Sequence, residues 1–210
     1  MTRLDRQFDF LLEIDKEKAV TRQNYIPSGN RHETDSDHAW HLAVMTLLLG
    51  EYSNQPIDLL RTVSMVLIHD LVEIDAGDTF AYDEKAAVGQ HERESAAADR
   101  IFGLLPEDQA AKLRGLWEEF EARETPEAKF ARTMDRIQPI LLNDATDGRA
   151  WKEHGVRLKQ VLMLNAATVE GSGALWDYAC ERYVLPNAEK GNLIRDIGDI
   201  RDIGDDKDNS

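Results

Sequence analysis

Residues 56–74 read PIDLLRTVSMVLIHDLVEI and indicate the fold class of the chain. Apolar residues recur there at three- and four-residue intervals, at Leu60, Val63, Val66 and Leu67. This is the period of an α-helix that buries one face. Pro56 suits the first turn of such a helix, because that position needs no backbone N–H. The pattern therefore predicts one helix over this stretch, with a histidine and two acidic residues near its end.

The same period extends through most of the chain. It predicts further helices over residues 8–19, 36–52, 86–105, 106–120, 126–141, 156–169 and 173–183. Residues 20–33 and 75–83 are predicted to be loops. No segment sustains a two-residue alternation rich in β-branched side chains, so the sequence does not predict a sheet. We expect an all-α helical bundle of about eight helices, in one domain spanning residues 1–190.

Composition limits the partners of the protein. The 210 residues include 25 Lys and Arg against 40 Asp and Glu, a net charge of −15. This balance argues against a nucleic-acid polymer, whose binders need a basic surface. A small anionic substrate is compatible with it, because one metal ion and two arginines can reverse the field inside a pocket. The apolar run at residues 42–49 is far shorter than the ~20 residues that cross a bilayer.

Two further features bear on location and order. The single cysteine, Cys180, cannot form an intrachain disulfide, and the first residues lack the pattern of a signal peptide, so we expect a cytoplasmic protein. Residues 195–199 and 201–205 repeat the pentapeptide Arg-Asp-Ile-Gly-Asp. We expect residues 191–210 to form an acidic, flexible tail outside the bundle.

Several ionisable residues stand where helices can bring them to one metal ion. His69 and Asp70 lie near the end of the helix described first, and both can reach an ion at a helix end. The preceding helix can add His38 or His41. Asp135 lies in an otherwise apolar helical stretch, where an unpaired carboxylate would be costly. Two imidazoles and two carboxylates suit Mn, Fe, Co or Ni, and about two positions of an octahedral ion would remain for water and substrate.

The order of these motifs resembles that of a known family. They read Arg31-x-Glu33-Thr-x-x-x-His38, then His69-Asp70-x-x-Glu73-x-x-x-Gly77-Asp78, then Asp135. Over roughly residues 5–185 the chain resembles the HD-domain metal-dependent phosphohydrolases, and among them the 5′-deoxynucleotidase-like branch. The resemblance implies an HD-domain helical bundle and one divalent transition metal ion (Mn, Co, Fe or Ni, with Mg as an alternative). It also implies hydrolysis of (deoxy)nucleoside 5′-monophosphates by a metal-activated water.

The resemblance further implies a role for each matching residue. The residues that match the metal ligands are His38, His69, Asp70 and Asp135. Glu73 matches the acid that positions or deprotonates the attacking water, and Asp78 matches a carboxylate that orients substrate and water. In this branch an arginine before the first metal histidine contacts the phosphate, and Arg22 and Arg31 are the candidates here. Members of the branch commonly form homodimers.

Other interpretations stay open at this point. A second hypothesis keeps the metal and changes the substrate to a nucleoside triphosphate, a cyclic nucleotide or a non-nucleotide phosphate ester. A third is an HD domain that binds a nucleotide or a protein partner without catalysis. Arg132 and Arg136 flank Asp135, and for each of them a phosphate contact and an ion pair with an acid are alternatives. Tyr82 is a candidate for stacking on a base, with core packing as the alternative.

Overall fold

The computed structural model describes residues 1–28, 30–82 and 89–195. Its α-helices are α1 (Arg3–Ile14), α2 (Asp35–Leu49), α3 (Leu59–Ile68), α4 (Glu73–Ala76), α5 (Gln90–Phe102), α6 (Glu107–Ala122), α7 (Pro126–Ala145), α8 (Arg149–Glu153), α9 (Leu158–Leu164), α10 (Gly173–Ala179) and α11 (Leu185–Glu189). Tighter 3₁₀ turns span Asp15–Ala19, Gly50–Tyr52, His69–Val72 and Ala166–Glu170, and a π-helical turn spans Cys180–Val184. The predicted helical bundle is confirmed. Within the described ranges, no helix is both long enough and apolar enough to cross a membrane.

Side-chain caps determine where the helices next to the site begin. Thr34 precedes α2 and accepts a hydrogen bond from the backbone N–H of Asp37, whose carboxylate accepts one from the Thr34 N–H in return. The Asp58 carboxylate accepts from the Arg61 N–H at the start of α3. The sequence predicted this helix from residue 56, but it begins after the Asp58 cap and ends at Ile68, where the chain tightens into a 3₁₀ turn.

A small antiparallel sheet is the main departure from the prediction. Strands β1 (Thr21–Tyr25) and β2 (His32–Thr34) pair in a region that the sequence predicted as a loop. Both strands are short and mostly polar, so they lack the apolar alternation that identifies a strand. Packing supports them instead, because Tyr25 is buried and the Arg149 guanidinium lies 3.6 Å from the centre of its ring.

Helix α7 is the central element of the bundle. It packs against α2, α3 and α6, and Phe130, Ala131 and Met134 are fully buried in that contact. A second apolar cluster joins α5 to the 3₁₀ turn after α3. A third surrounds Trp151 beyond the far half of α7. This packing sets the middle of α7 beside the beginning of α2 and the end of α3.

The packed chain continues past residue 190. Leu193 is buried in the third cluster, and the backbone of Ile194 pairs with Val156 and Leu158 at N···O distances of 3.0 and 2.9 Å. Residues 196–210 lie outside the described ranges. The prediction of a flexible tail, like that of a single domain, stays a prediction.

We predict that Phe130→Ala lowers the free energy of unfolding by about 3–5 kcal/mol, because it removes a fully buried ring from the centre of the bundle. Phe8→Ala is the matched control, since Phe8 is 64% exposed on α1 and should cost less than about 1 kcal/mol. Urea denaturation followed by circular dichroism measures both values. Equal losses in the two variants would contradict the central position of α7.

Candidate metal centre

Three elements bring four of the predicted residues together. His38 lies in the first turn of α2, which its Thr34 cap holds in place. His69 and Asp70 open the 3₁₀ turn that follows α3, and Asp135 lies midway along α7. All four side chains are buried. His38, His69 and Asp135 each place one potential ligand atom within 4.8 Å of the others.

The atoms that converge are two imidazole nitrogens and carboxylate oxygens. Asp135 Oδ1 lies 3.1 Å from His38 Nε2 and 3.7 Å from His69 Nε2. Asp70 lies alongside, with Oδ1 at 3.1 Å from His69 Nε2 and Oδ2 at 3.9 Å from His38 Nε2. Donor atoms of His38, His69 and Asp135 therefore surround one small volume, and the Asp70 carboxylate lies at its border.

In each imidazole ring, the hydrogen bond made by Nδ1 determines that Nε2 faces the centre. His38 Nδ1 lies 2.9 Å from Gln138 Oε1, and His69 Nδ1 lies 3.0 Å from the Val66 carbonyl oxygen. Both partners are acceptors, so each Nδ1 carries the hydrogen and each Nε2 presents a lone pair in the neutral ring. His69 Nε2 is buried without a hydrogen-bond partner. Lone pairs and carboxylates facing one point fit a divalent cation.

The two histidines differ in their electrostatic surroundings. Burial and the nearby Arg22 charge lower the pKa of His38 to about 4. Burial also acts on His69, but the carboxylates of Asp70 and Asp135 outweigh it and raise the pKa of His69 to about 10. The negative charge of these carboxylates thus keeps His69 protonated when no metal cation is bound.

Arg22 joins the centre to the hairpin. Its Nη1 lies 2.8 Å from Asp70 Oδ2, 3.3 Å from Asp35 Oδ1 and 3.9 Å from Asp78 Oδ1. Its Nε lies 3.7 Å from Glu33 Oε2 on β2. One guanidinium therefore contacts carboxylates of four different chain segments.

A second group of acids lies next to Arg22. Oxygens of Asp35, Glu73 and Asp78 lie within 4.8 Å of one another. Burial and the Asp70 charge raise the pKa of Asp35 to about 7 and raise that of Glu73 well above its usual range. Such a group can share a proton or hold a cation, and either would reduce the repulsion between its members.

A cavity of about 350 Å³ opens beside these residues. At one end it is lined by Asp70, Glu73, Asp78 and Asp135, with the arginines Arg22, Arg132 and Arg136. Further along α7 the lining is aromatic, apolar or amide-bearing, with Phe80, Tyr82, Trp151, Ile140, Asn24, Asn143 and Asn165. The Tyr82 hydroxyl accepts a hydrogen bond from Trp151, and burial raises its pKa to about 12. The cavity thus has a charged end and a less polar end.

The structure does not bring every predicted residue to this cavity. Arg31 is more than half exposed, and its guanidinium binds the Asp37 carboxylate and the His32 carbonyl oxygen instead. Arg22 is the only one of the two predicted phosphate-binding arginines that lines the cavity. His41 accepts from Gln138 Nε2 at 3.2 Å.

Gln138 was missed by sequence reasoning. It is fully buried, its Oε1 accepts from His38, and its Nε2 donates to Glu33. A signal existed, because a polar side chain stands three residues after Asp135 in an apolar helical stretch.

We predict that Gln138→Met weakens divalent metal binding about 10- to 100-fold, because the substitution removes the acceptor that orients His38. Gln109→Met is the control, since Gln109 pairs with Gln7 away from the centre. Titration of metal-free protein with Co²⁺, followed by its visible absorption, measures the affinity. An unchanged affinity in Gln138→Met would show that Gln138 does not orient the ligand.

Glu17 gives a prediction on pH dependence. Burial, with the charges of Asp70 and Asp35, raises the pKa of Glu17 to about 7, and its Oε1 has no hydrogen-bond partner. Protonated Glu17 is favoured in the folded state. Its contribution to stability is therefore complete below the unfolded pKa and is lost as the pH rises through about 7.

In the presence of a metal chelator, we compare the free energy of unfolding of Glu17→Gln with that of the wild type. We expect this difference to shift in favour of the variant by on the order of 2 kcal/mol between pH 5 and pH 8. Urea denaturation at both pH values measures the gain. Glu107→Gln, on the exposed first turn of α6, should show no such difference. A parallel pH profile for Glu17→Gln and wild type would refute the assignment.

Comparison with known proteins agrees with this geometry. The family described as HD domain matches residues 14–176. The 5′-deoxynucleotidase HDDC2 of Homo sapiens is 34% identical over 133 residues, which are 63% of this chain and 64% of that protein. The 5′-deoxynucleotidase hdd1 of Schizosaccharomyces pombe is 28% identical over 136 residues, 62% of this chain and 67% of that protein. The match to human HDDC2 thus spans less than two thirds of its length.

Solved structures extend the comparison. A crystal structure described as a predicted metal-dependent phosphohydrolase from Magnetospirillum magnetotacticum MS-1 superposes with a TM-score of 0.86 and 46% identity, over 91% of this chain and 95% of that one. The PH0347 protein from Pyrococcus horikoshii OT3 shares the fold at a TM-score of 0.58 and 17% identity, over 88% of this chain and 97% of that one. Because the family match covers well over half of the sequence and contains the whole buried centre, the chain belongs to the HD domain family.

Proposed function

We propose that the protein is a metal-dependent phosphohydrolase that removes the phosphate of (deoxy)nucleoside 5′-monophosphates with a metal-activated water. The observation that carries the proposal is the convergence of His38, His69 and Asp135, with Asp70 alongside, at a point where the two aspartates line the charged end of a cavity. Relatives named 5′-deoxynucleotidase and a structural neighbour described as a predicted metal-dependent phosphohydrolase support it.

The proposed ligands are His38, His69, Asp70 and Asp135. Two imidazole nitrogens and two carboxylates suit an octahedral Mn, Co, Fe or Ni ion, with Mg as an alternative. When bound, such an ion lowers the pKa of a coordinated water and polarises a phosphoryl oxygen. The Gln138 amide keeps His38 in the tautomer that this ligation requires.

Glu73 is the proposed acceptor of the proton from the attacking water. It follows Asp70 by three residues and lines the same cavity. Burial and neighbouring acids raise its pKa, and a bound cation would reduce that shift. A carboxylate with a raised pKa accepts a proton more readily than an ordinary one, which favours Glu73 as the general base.

Asp78 and Arg22 complete the proposed machinery. Asp78 follows Gly77, whose positive φ of 77° turns the chain so that the carboxylate lines the cavity. We assign to Asp78 the orientation of substrate and water. Arg22 fixes Asp70 and Asp35 and is retained as a contact to the phosphate from the cavity wall.

A cavity of about 350 Å³ suits a small phosphorylated molecule and not a polymer. The resemblance to the 5′-deoxynucleotidase-like branch supports a homodimer, and the free thiol of Cys180 is consistent with the cytoplasm. Both belong to the proposal. The alternative substrates are nucleoside triphosphates, cyclic nucleotides and non-nucleotide esters, and the other class of function is a non-catalytic HD domain.

The test is phosphate release from a panel of ribo- and deoxynucleoside monophosphates by metal-stripped protein supplied with Mn²⁺, Co²⁺ or Mg²⁺. We expect metal-dependent release and a loss of about 10²- to 10⁴-fold in kcat for Glu73→Gln, because that variant cannot take the proton. Glu107→Gln, an exposed site on α6, should retain full activity.

The metal content of each sample separates the outcomes. If protein that holds one metal ion per chain releases no phosphate from any member of the panel, the monophosphatase proposal is overturned. The same result with triphosphates, cyclic nucleotides and non-nucleotide esters would favour the non-catalytic domain.

A further inference from the structure

The charged end of the cavity contains three arginines, which differ in how far nearby carboxylates neutralise their charge. Arg22 lies within 4 Å of four carboxylates. Arg132 Nη1 lies 3.1 Å from Asp135 Oδ2. Both guanidinium groups therefore already have acidic partners inside the protein.

Arg136 differs from both. It is half-buried and lines the cavity. Across residues 1–28, 30–82 and 89–195, no carboxylate forms an ion pair with its guanidinium. An arginine side chain keeps its positive charge at neutral pH in a protein. A partly desolvated cation without a counter-ion is costly, and an anionic ligand would remove that cost.

The position of Arg136 on α7 places it at the charged end of the cavity. It follows the proposed ligand Asp135 and lies one helical turn after Arg132, on the same face of the helix. Long side chains on a helix lean toward its N-terminal end, which here is the side of Arg132.

We propose that Arg136 binds the phosphoryl oxygens of the substrate, and that the ligand class of this subsite is a dianionic phosphate monoester. The inference rests on the proposed function and deepens it. A guanidinium can give two parallel hydrogen bonds to phosphate, which holds the group in one orientation. The remainder of the substrate then extends along α7 toward Ile140 and Asn143, at the less polar end.

The first arm of the test measures binding without turnover. Calorimetric titration of Mn²⁺-loaded protein with inorganic phosphate should show a Kd about 10- to 100-fold weaker for Arg136→Gln than for wild type. Arg136→Lys keeps the charge and should recover part of that affinity. Arg3→Gln, which removes an exposed charge that pairs with Asp108, is the control and should bind as wild type does.

The metal affinity of all variants should stay equal, which excludes a damaged centre. The proposal is overturned if Arg136→Gln binds phosphate as tightly as wild type, or if wild-type protein binds no phosphate.

The second arm separates this inference from the proposed function. With an active substrate, Arg136→Gln should raise KM about 10-fold or more, while Glu73→Gln lowers kcat. Hydrolysis that is unaffected by Arg136→Gln would overturn the inference and leave the proposed function in place. Phosphate binding that depends on Arg136, in a protein that hydrolyses no ester, would support the anion site and overturn the proposed function.

Discussion

The ion pairs of Arg22 are the interaction on which the site depends. Through them strand β1 is joined to β2, to the start of α2 and to the turn after α3, by way of Glu33, Asp35 and Asp70. One buried cation cannot neutralise so many acids in a medium of low dielectric constant. The remaining negative charge appears in the raised pKa of Asp35 and in the proton held by His69. The folded protein therefore has an excess of buried negative charge, which a further cation would neutralise before any substrate binds.

Helix α7 determines the directions in which several side chains of this site point. Within two turns it presents Asp135 to the centre, Gln138 to the back of His38 and Arg136 to the cavity. Each faces a different side because successive residues of a helix are rotated by about 100°. The packing of α7 against α2, α3 and α6 keeps those directions constant. The helix that forms the core is thus also the element that determines the geometry of the site.

The helices were predictable from local spacing, and the resemblance of the ordered motifs to a known family supplied the four side chains. Period 3.6 is visible in single segments, and a histidine–aspartate pair at a helix end stays together in any packing. The hairpin was not predictable, since the burial of Tyr25 against Arg149 supports it. Distinguishing Arg22 from Arg31 needed that hairpin, because β1 carries Arg22 inward while Arg31 turns to Asp37 at the surface. The hairpin and the inward position of Arg22 were missed because they depend on contacts between residues distant in sequence.

A chain with a net charge of −15 must still admit an anion if it is to act on phosphate esters. The cavity contains arginines beside its acids. Asp70 and Glu73 line it from α4 and the turn before that helix, and Arg132, Asp135 and Arg136 line it from α7. Because charge interactions strengthen where water is excluded, a guanidinium in the cavity acts on a bound anion more strongly than a distant surface acid that salt screens. An oxyanion that binds on the α7 side lies beside Arg136, which has no ion-pair partner among the described residues, and the overall acidity of the protein then affects its encounter rate more than its affinity.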